Sequence, residues 1–274
     1  MEVFELLKVI LIGIIEGITE WLPISSTGHM LLFDEFVTLK MNESFKEMFF
    51  VVIQLGAILA VTVLYFKKLF PFTVGKGKII LEHSILNLWL KIAAACLPSA
   101  ILGFLLDDFL EKHFGNALTI SIMLIFYGIL FIVIENYHKN RVPQFDDVLS
   151  VDYKTAVLIG LFQALSMIPG TSRSGATIIG ALLLGVSRTA AAEFSFFLAV
   201  PTMLGASALK LLKFGFDFSS DELIFLLIGM LIAFIVSLAA IRFLMNFVKN
   251  HSFKFFGWYR IALGAAVIAI IYIN

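Results

Sequence analysis

Cysteine is almost missing from this 274-residue chain: Cys96 stands alone. One thiol closes no internal disulfide and builds no cysteine metal cage. Within its apolar run Cys96 reads as a small buried hydrophobe. Charge is scarce too, at 15% of residues against about 25% in ordinary soluble domains. It also has no net sign, because 20 basic residues offset 20 acidic ones. That balance excludes a general attraction to nucleic acid and other polyanions. The excess is all apolar: 60% of residues are hydrophobic, 29 are Phe, and mean hydropathy is +1.00. A water-soluble globule cannot hide so much apolar surface, and the same composition excludes disorder, collagen and a disulfide scaffold. The membrane is the solvent.

A spanning helix needs about 20 mostly apolar residues. Six segments qualify, at about 48–66, 85–105, 117–137, 188–210, 223–246 and 255–273. The N-terminal stretch has no basic n-region and no small-residue cleavage site, and it carries Glu16 and Glu20. It reads as part of the mature protein rather than as a signal peptide. That stretch, about 4–37, and a second at about 155–186 are each broken near the middle. The breaks are Pro23-Ile24-Ser25-Ser26-Thr27-Gly28-His29 and Pro169-Gly170-Thr171-Ser172-Arg173-Ser174-Gly175. Bare backbone survives at membrane depth only inside protein or around a water-filled cavity. Both stretches are therefore expected to be re-entrant helix hairpins.

The two halves repeat. Ile12-Gly13-Ile14-Ile15-Glu16-Gly17 aligns with Ile159-Gly160-Leu161-Phe162-Gln163-Ala164, and Phe49-Phe50 aligns with Phe196-Phe197 at the same spacing. One hairpin and three spans per unit is an odd number of crossings, so the second unit must be inverted. The expected fold is a single all-α integral membrane domain over 1–274, with six transmembrane helices and two re-entrant hairpins. Repeat 1 would cover about 1–140 and repeat 2 about 150–274. Sites in inverted repeats lie near the midplane, between the units. The pairs Gly13/Gly17 and Gly160/Ala164 are close-packing faces, expected to hold the hairpins against each other and also to permit a homodimer.

Basic loops mark the cytoplasmic side. Lys67, Lys68, Lys76 and Lys78, then Lys139, Arg141 and Lys154, then Arg242, Lys249 and Lys254 fall on one side by alternation. Asp107, Asp108 and Glu111, then Asp217, Asp221 and Glu222, fall on the other. Both termini are then expected outside, with the first hairpin entering from the outside and the second from the cytoplasm.

The polar residues at the breaks carry the chemistry. Glu16 and Glu20 share a helix face, and acids at membrane depth face a cavity or a partner. Ser25, Ser26 and Thr27 open a half-helix, where an N-cap and free N–H groups suit a phosphate. Ser172 and Ser174 repeat that offer around Arg173, whose guanidinium forks onto phosphate oxygens. An Arg173 ion pair with Glu16 or Glu20 is the competing structural reading. His29 lies three residues beyond Ser26 and can move a proton near neutral pH. The two carboxylates can hold a divalent cation or act as acid and base; the residues alone leave both open.

The run Glu16-Gly17-Ile18-Thr19-Glu20-Trp21-Leu22-Pro23-Ile24-Ser25-Ser26-Thr27-Gly28-His29 resembles the first signature of the bacterial undecaprenyl-diphosphate phosphatases of the bacitracin-resistance type. Pro169 to Thr177 resembles the second, and the likeness runs through Gln54-Leu55-Gly56-Ala57. Trp21, where Phe is common, is a mild departure. The resemblance implies an enzyme of the bacterial plasma membrane that hydrolyses undecaprenyl diphosphate to undecaprenyl phosphate. That recycles the lipid carrier for peptidoglycan and confers bacitracin resistance. It implies a pocket open to the outside and support by Mg²⁺ or Ca²⁺. It also implies Ser26 as nucleophile, Arg173 on the diphosphate, Glu16 and Glu20 for metal or protons, and His29 as base or phosphate ligand. Broken helices in inverted repeats are equally a transporter trait, so a secondary transporter or lipid flippase is the rival reading.

Overall fold

In lipid every backbone polar group must be paired within the chain, which leaves helices for a sequence this apolar. A computed structural model gives the structure of residues 3–37, 39–75, 78–139 and 141–273. Lys76 lies outside the described residues, as do the side chains of Asp107, Asp108 and Glu111. Helix α1 (Val3–Thr19) ends at the first break and α2 (Ser26–Phe36) leaves it. Helices α3 (Glu43–Val52) and α4 (Gln54–Leu64) meet at Ile53, which keeps right-handed helical torsions, so Glu43–Leu64 forms one span. A short helix α5 (Phe66–Leu69) and a hairpin of β1 (Phe72–Gly75) and β2 (Lys78–Leu81) lead into α6 (His83–Phe114), then α7 (Ala117–His138). The second half runs α8 (Tyr153–Ala164), a 3-10 turn at Leu165–Met167, the second break, α9 (Arg173–Leu183), α10 (Arg188–Phe214), α11 (Ser220–Asn250) and α12 (Lys254–Ile273).

Among the described residues, six helices are long and apolar enough to cross a membrane. They fall where the apolar runs place them, with two shifts at the ends. The first span starts at Glu43 because Asn42 caps it, its side chain accepting from Ser44 N. Helix α6 continues past its apolar window, which closes at Leu106, to Phe114.

The glycine faces hold different partners from those expected. A Cβ at Gly13 would meet Ile232 and the Gly229 carbonyl, and one at Gly17 would meet Val236 and the Ala233 carbonyl. Both are α11 contacts. Gly160 lies so close to the Ala95 carbonyl of α6 that no side chain fits. The first broken segment is thus seated on α11 and the second on α6, rather than on each other, because those neighbours offer backbone that only glycine can approach. Gly13, Gly17 and Gly160 thus meet their neighbours within the chain. Helices α7 and α12 meet at a reciprocal pair, Gly128 against the Gly257 carbonyl and Gly257 against the Gly128 carbonyl.

The basic loops gather at one end of the bundle. Lys91 Nζ donates to the Leu149 carbonyl, Tyr153 hydroxyl donates to Asn87 Oδ1, and Arg188 forks onto Glu135, which also accepts from Phe253 N.

Candidate active site

Each break is built around one serine. Ser25 and Ser172 have φ of 73° and 72°, the only non-glycine positive values among the described residues. A serine held in this region costs about 1–3 kcal/mol, and such strain concentrates at functional sites. Each serine caps the following helix: Ser25 Oγ accepts from Gly28 N at 3.3 Å and Ser172 Oγ from Gly175 N at 3.1 Å. The first helical residue after each cap is one of the predicted site residues, Ser26 in one break and Arg173 in the other.

The two meet on Glu20. Ser26 Oγ donates to Glu20 Oε2 at 2.9 Å, and Arg173 Nη2 donates to Glu20 Oε1 at 3.0 Å. Arg173 Nη1 is held by the Ser195 carbonyl at 2.9 Å, and its guanidinium lies 5.9 Å from the Trp21 ring centroid. Its Nε is buried with no hydrogen-bond partner. Glu16 sits one helical turn before Glu20, almost wholly buried, with Oε1 also unpartnered. One side of the site therefore offers an unused donor and the other an unused acceptor. The carboxylate pair fits a divalent cation only as a partial ligand set. Among the described residues no three His, Cys, Asp or Glu side chains gather to hold a metal, so substrate oxygens and water would complete the sphere, as Mg²⁺ sites commonly require.

His29 shares a helix face with Ser26, but its ring is engaged elsewhere. Nδ1 lies 2.7 Å from the Ser25 carbonyl, which can only accept, so this nitrogen carries the proton. In the neutral ring Nε2 is then the lone-pair nitrogen and accepts from the Tyr259 hydroxyl at 2.8 Å, with the two ring planes within 4° of parallel. Of the remaining predicted residues, Thr27 is exposed. Ser174 is buried and donates to the main-chain carbonyls of Glu20 and Leu22, tying one break to the other. Ser172 lies 3.2 Å from Ser174, hydroxyl to hydroxyl, besides capping.

Arg260 of α12 belongs to this site and was not singled out from the sequence. It is fully buried. Its guanidinium donates to Pro23 in the first break, to Gly170 and Thr171 in the second, and to Met123 and Leu124 of α7. All five acceptors are main-chain carbonyls, three in the breaks and two on the unbroken α7. The cue was available: an arginine inside the apolar run 255–273 is as anomalous as Arg173.

The family described as "Bacitracin resistance protein BacA" matches residues 9–266. Among curated proteins the chain is similar to an Enterococcus faecalis undecaprenyl-diphosphatase, 64% identical over 271 residues and covering 98% of each chain. It is 59% identical to an undecaprenyl-diphosphatase of Desulfitobacterium hafniense, over 98% of this chain and 96% of that one. It is 57% identical to undecaprenyl-diphosphatase 1 of Clostridium acetobutylicum, over 98% of both.

Proposed function

This chain belongs to the BacA family, and we propose that it hydrolyses undecaprenyl diphosphate to undecaprenyl phosphate and inorganic phosphate, recycling a cell-wall lipid carrier and so conferring bacitracin resistance. The observation that carries the reading is the meeting of Ser26, Glu20 and Arg173 where two broken helices face each other inside a bundle of membrane-length helices. Phosphoryl transfer asks mainly for positioning and charge neutralisation, which these groups supply while the polyprenyl tail stays in lipid.

Ser26 is the nucleophile. Its proton passes to Glu20, which already accepts its hydrogen bond, as Oγ attacks the terminal phosphorus. The bond from that phosphorus to the bridging oxygen breaks, and undecaprenyl phosphate leaves. Water then attacks the serine phosphate and the P–Oγ bond breaks, releasing inorganic phosphate; the water proton passes to His29 Nε2 as the Tyr259 hydroxyl turns from it, and Glu20 returns its proton to Ser26 Oγ. Arg173 turns from Glu20 to the diphosphate, adding its unused Nε–H. Thr27 and the N–H groups that open α2 and α9 hold further oxygens, in the frame that the Ser25, Ser172 and Ser174 bonds maintain. Glu16 with Glu20 would hold Mg²⁺ or Ca²⁺, which when bound neutralises phosphate charge. The pocket opens to the outer face of the plasma membrane, away from the basic loops.

Purified protein in detergent should release phosphate from undecaprenyl diphosphate with Mg²⁺ or Ca²⁺. EDTA should stop release, and Ser26→Ala and Arg173→Ala should each abolish it. Absence of release by folded wild-type protein would refute the reading. Substantial turnover by Ser26→Ala would leave the site standing but transfer the attack to water.

A further inference from the structure

Trp21 follows Glu20 at the entrance to the first break and is fully buried. Its ring meets Phe196 edge-on at 5.3 Å and lies 5.9 Å from the Arg173 guanidinium. Packing accounts for the ring but not for its N–H, because Nε1 is buried without a hydrogen-bond partner. The other two indoles show the ordinary solutions. Trp89 Nε1 donates to the Leu69 carbonyl at 2.7 Å, and Trp258 is exposed. A phenyl ring at position 21 would keep both ring contacts without stranding a donor. A stranded buried donor calls for an occupant that would pair it.

The neighbouring orphans say what that occupant is. Among the described residues five buried side-chain atoms lack a partner, and four of them belong to Glu16, Trp21, Thr171 and Arg173, at or beside the two breaks. The fifth, Gln163 Oε1, lies on α8. Trp21 Nε1 and Arg173 Nε can only donate, and the Thr171 hydroxyl can donate. The one obligate acceptor of the four, Glu16 Oε1, belongs to the carboxylate pair proposed above to hold the cation. The remaining atoms suit a ligand built of acceptors, and an ionised diphosphate offers nothing else.

We propose that Trp21 is a substrate-binding residue whose Nε1–H donates to a non-bridging diphosphate oxygen, beside the one taken by Arg173 Nε. The inference rests on the hydrolysis proposed above and adds a residue to that site. The accepting oxygen is anionic both before and during transfer. The contact therefore strengthens binding of substrate and transition state alike, which lowers KM and leaves kcat unmoved.

Trp21→Phe keeps the ring against Phe196 and Arg173 and deletes the donor. It should raise KM for undecaprenyl diphosphate about 10-fold, the weight of one hydrogen bond to a charged group, with kcat within about twofold and thermal unfolding unchanged. A second measurement needs no turnover. With Trp89→Phe and Trp258→Phe, Trp21 is the sole indole. Farnesyl methylenediphosphonate, whose P–C–P bridge resists hydrolysis, should shift its emission to the red over the concentrations that inhibit turnover, and farnesol should not. An unchanged KM in Trp21→Phe overturns the assignment, and so does emission that ignores the diphosphonate at inhibiting concentrations. A fall in kcat and melting temperature with KM unchanged would mark Trp21 as packing alone. If Trp21→Phe does not fold, the emission decides. If folded wild-type protein releases no phosphate, the hydrolysis fails; Trp21 emission that still answers the diphosphonate then keeps the donor, and emission that never answers removes both.

Discussion

Glu20 has two carboxylate oxygens, and each meets a different element of the site, Ser26 through one and Arg173 through the other. A purely structural ion pair would not need the serine, and a serine cap would not need the carboxylate. Because Ser26 and Glu20 act on one proton, their losses should not add. Glu20→Gln and Ser26→Ala should each lower kcat at least about 100-fold, the ordinary share of a general base. The double variant should be no slower than the worse single one. Steady-state phosphate release in the four proteins checks this, and additive losses would separate the two residues. His29→Gln should be milder than Glu20→Gln in the first turnover, because the imidazole reaches Ser25 and Tyr259 rather than Ser26. At this scale the polar residues of the breaks were legible in the sequence, since each interrupts an apolar run. Their pairing was not: the four-residue spacing puts Glu16 and Glu20 equally in reach of Arg173, and only the strained turns at Ser25 and Ser172 hand Ser26 and Arg173 to Glu20. Arg260 stayed hidden because its role lies in carbonyls from three distant segments, which no local pattern displays.

Among the elements, the broken helices were legible and their neighbours were not. Small residues announce a close approach without saying to what. Gly160 resolves this by lying against the Ala95 backbone of α6, as Gly13 and Gly17 lie against α11. Each broken segment is thereby supported by a long helix, with Ser99 Oγ donating to the Gly160 carbonyl and Ser237 Oγ to the Gly17 carbonyl. Substitution at Gly160 must push α8 from α6, since the obstacle is backbone and cannot rotate away. Gly160→Leu should lower stability by about 1–3 kcal/mol or more, the usual cost of overpacking. It should also lower activity by shifting Arg173 through the second break. A leucine at Gly205, where a Cβ meets nothing within 4 Å, is the matched control and should be near neutral. Thermal unfolding in detergent, read beside turnover, compares the two; equal melting temperatures would show that the α6–α8 contact bears no strain.

Over the whole molecule, the spans follow from composition, but sidedness rests on charge. The contacts of Lys91, Tyr153 and Arg188 place the loops bearing Lys67, Lys154 and Lys254 at one end of the bundle. In the orientation proposed above that end is the cytoplasmic one, where basic loops concentrate, and the α10–α11 turn is then outside. Asp217 lies in that turn, between Phe214 and Ser220, whereas His251 follows α11 at the opposite end. In a Cys96→Ala background, Asp217→Cys should react with a membrane-impermeant maleimide on intact cells, and His251→Cys should react only after permeabilisation. The reverse pattern would turn the molecule over, and the two broken helices would then exchange their sides of entry. Labelling of both sites on intact cells would contradict a single orientation. Orientation matters to the proposed chemistry because the charged headgroup cannot cross the apolar bundle unaided. A site whose breaks are reached from outside can take only a diphosphate already in the outer leaflet. The monophosphate it releases must then be carried back across the membrane before it can be loaded again.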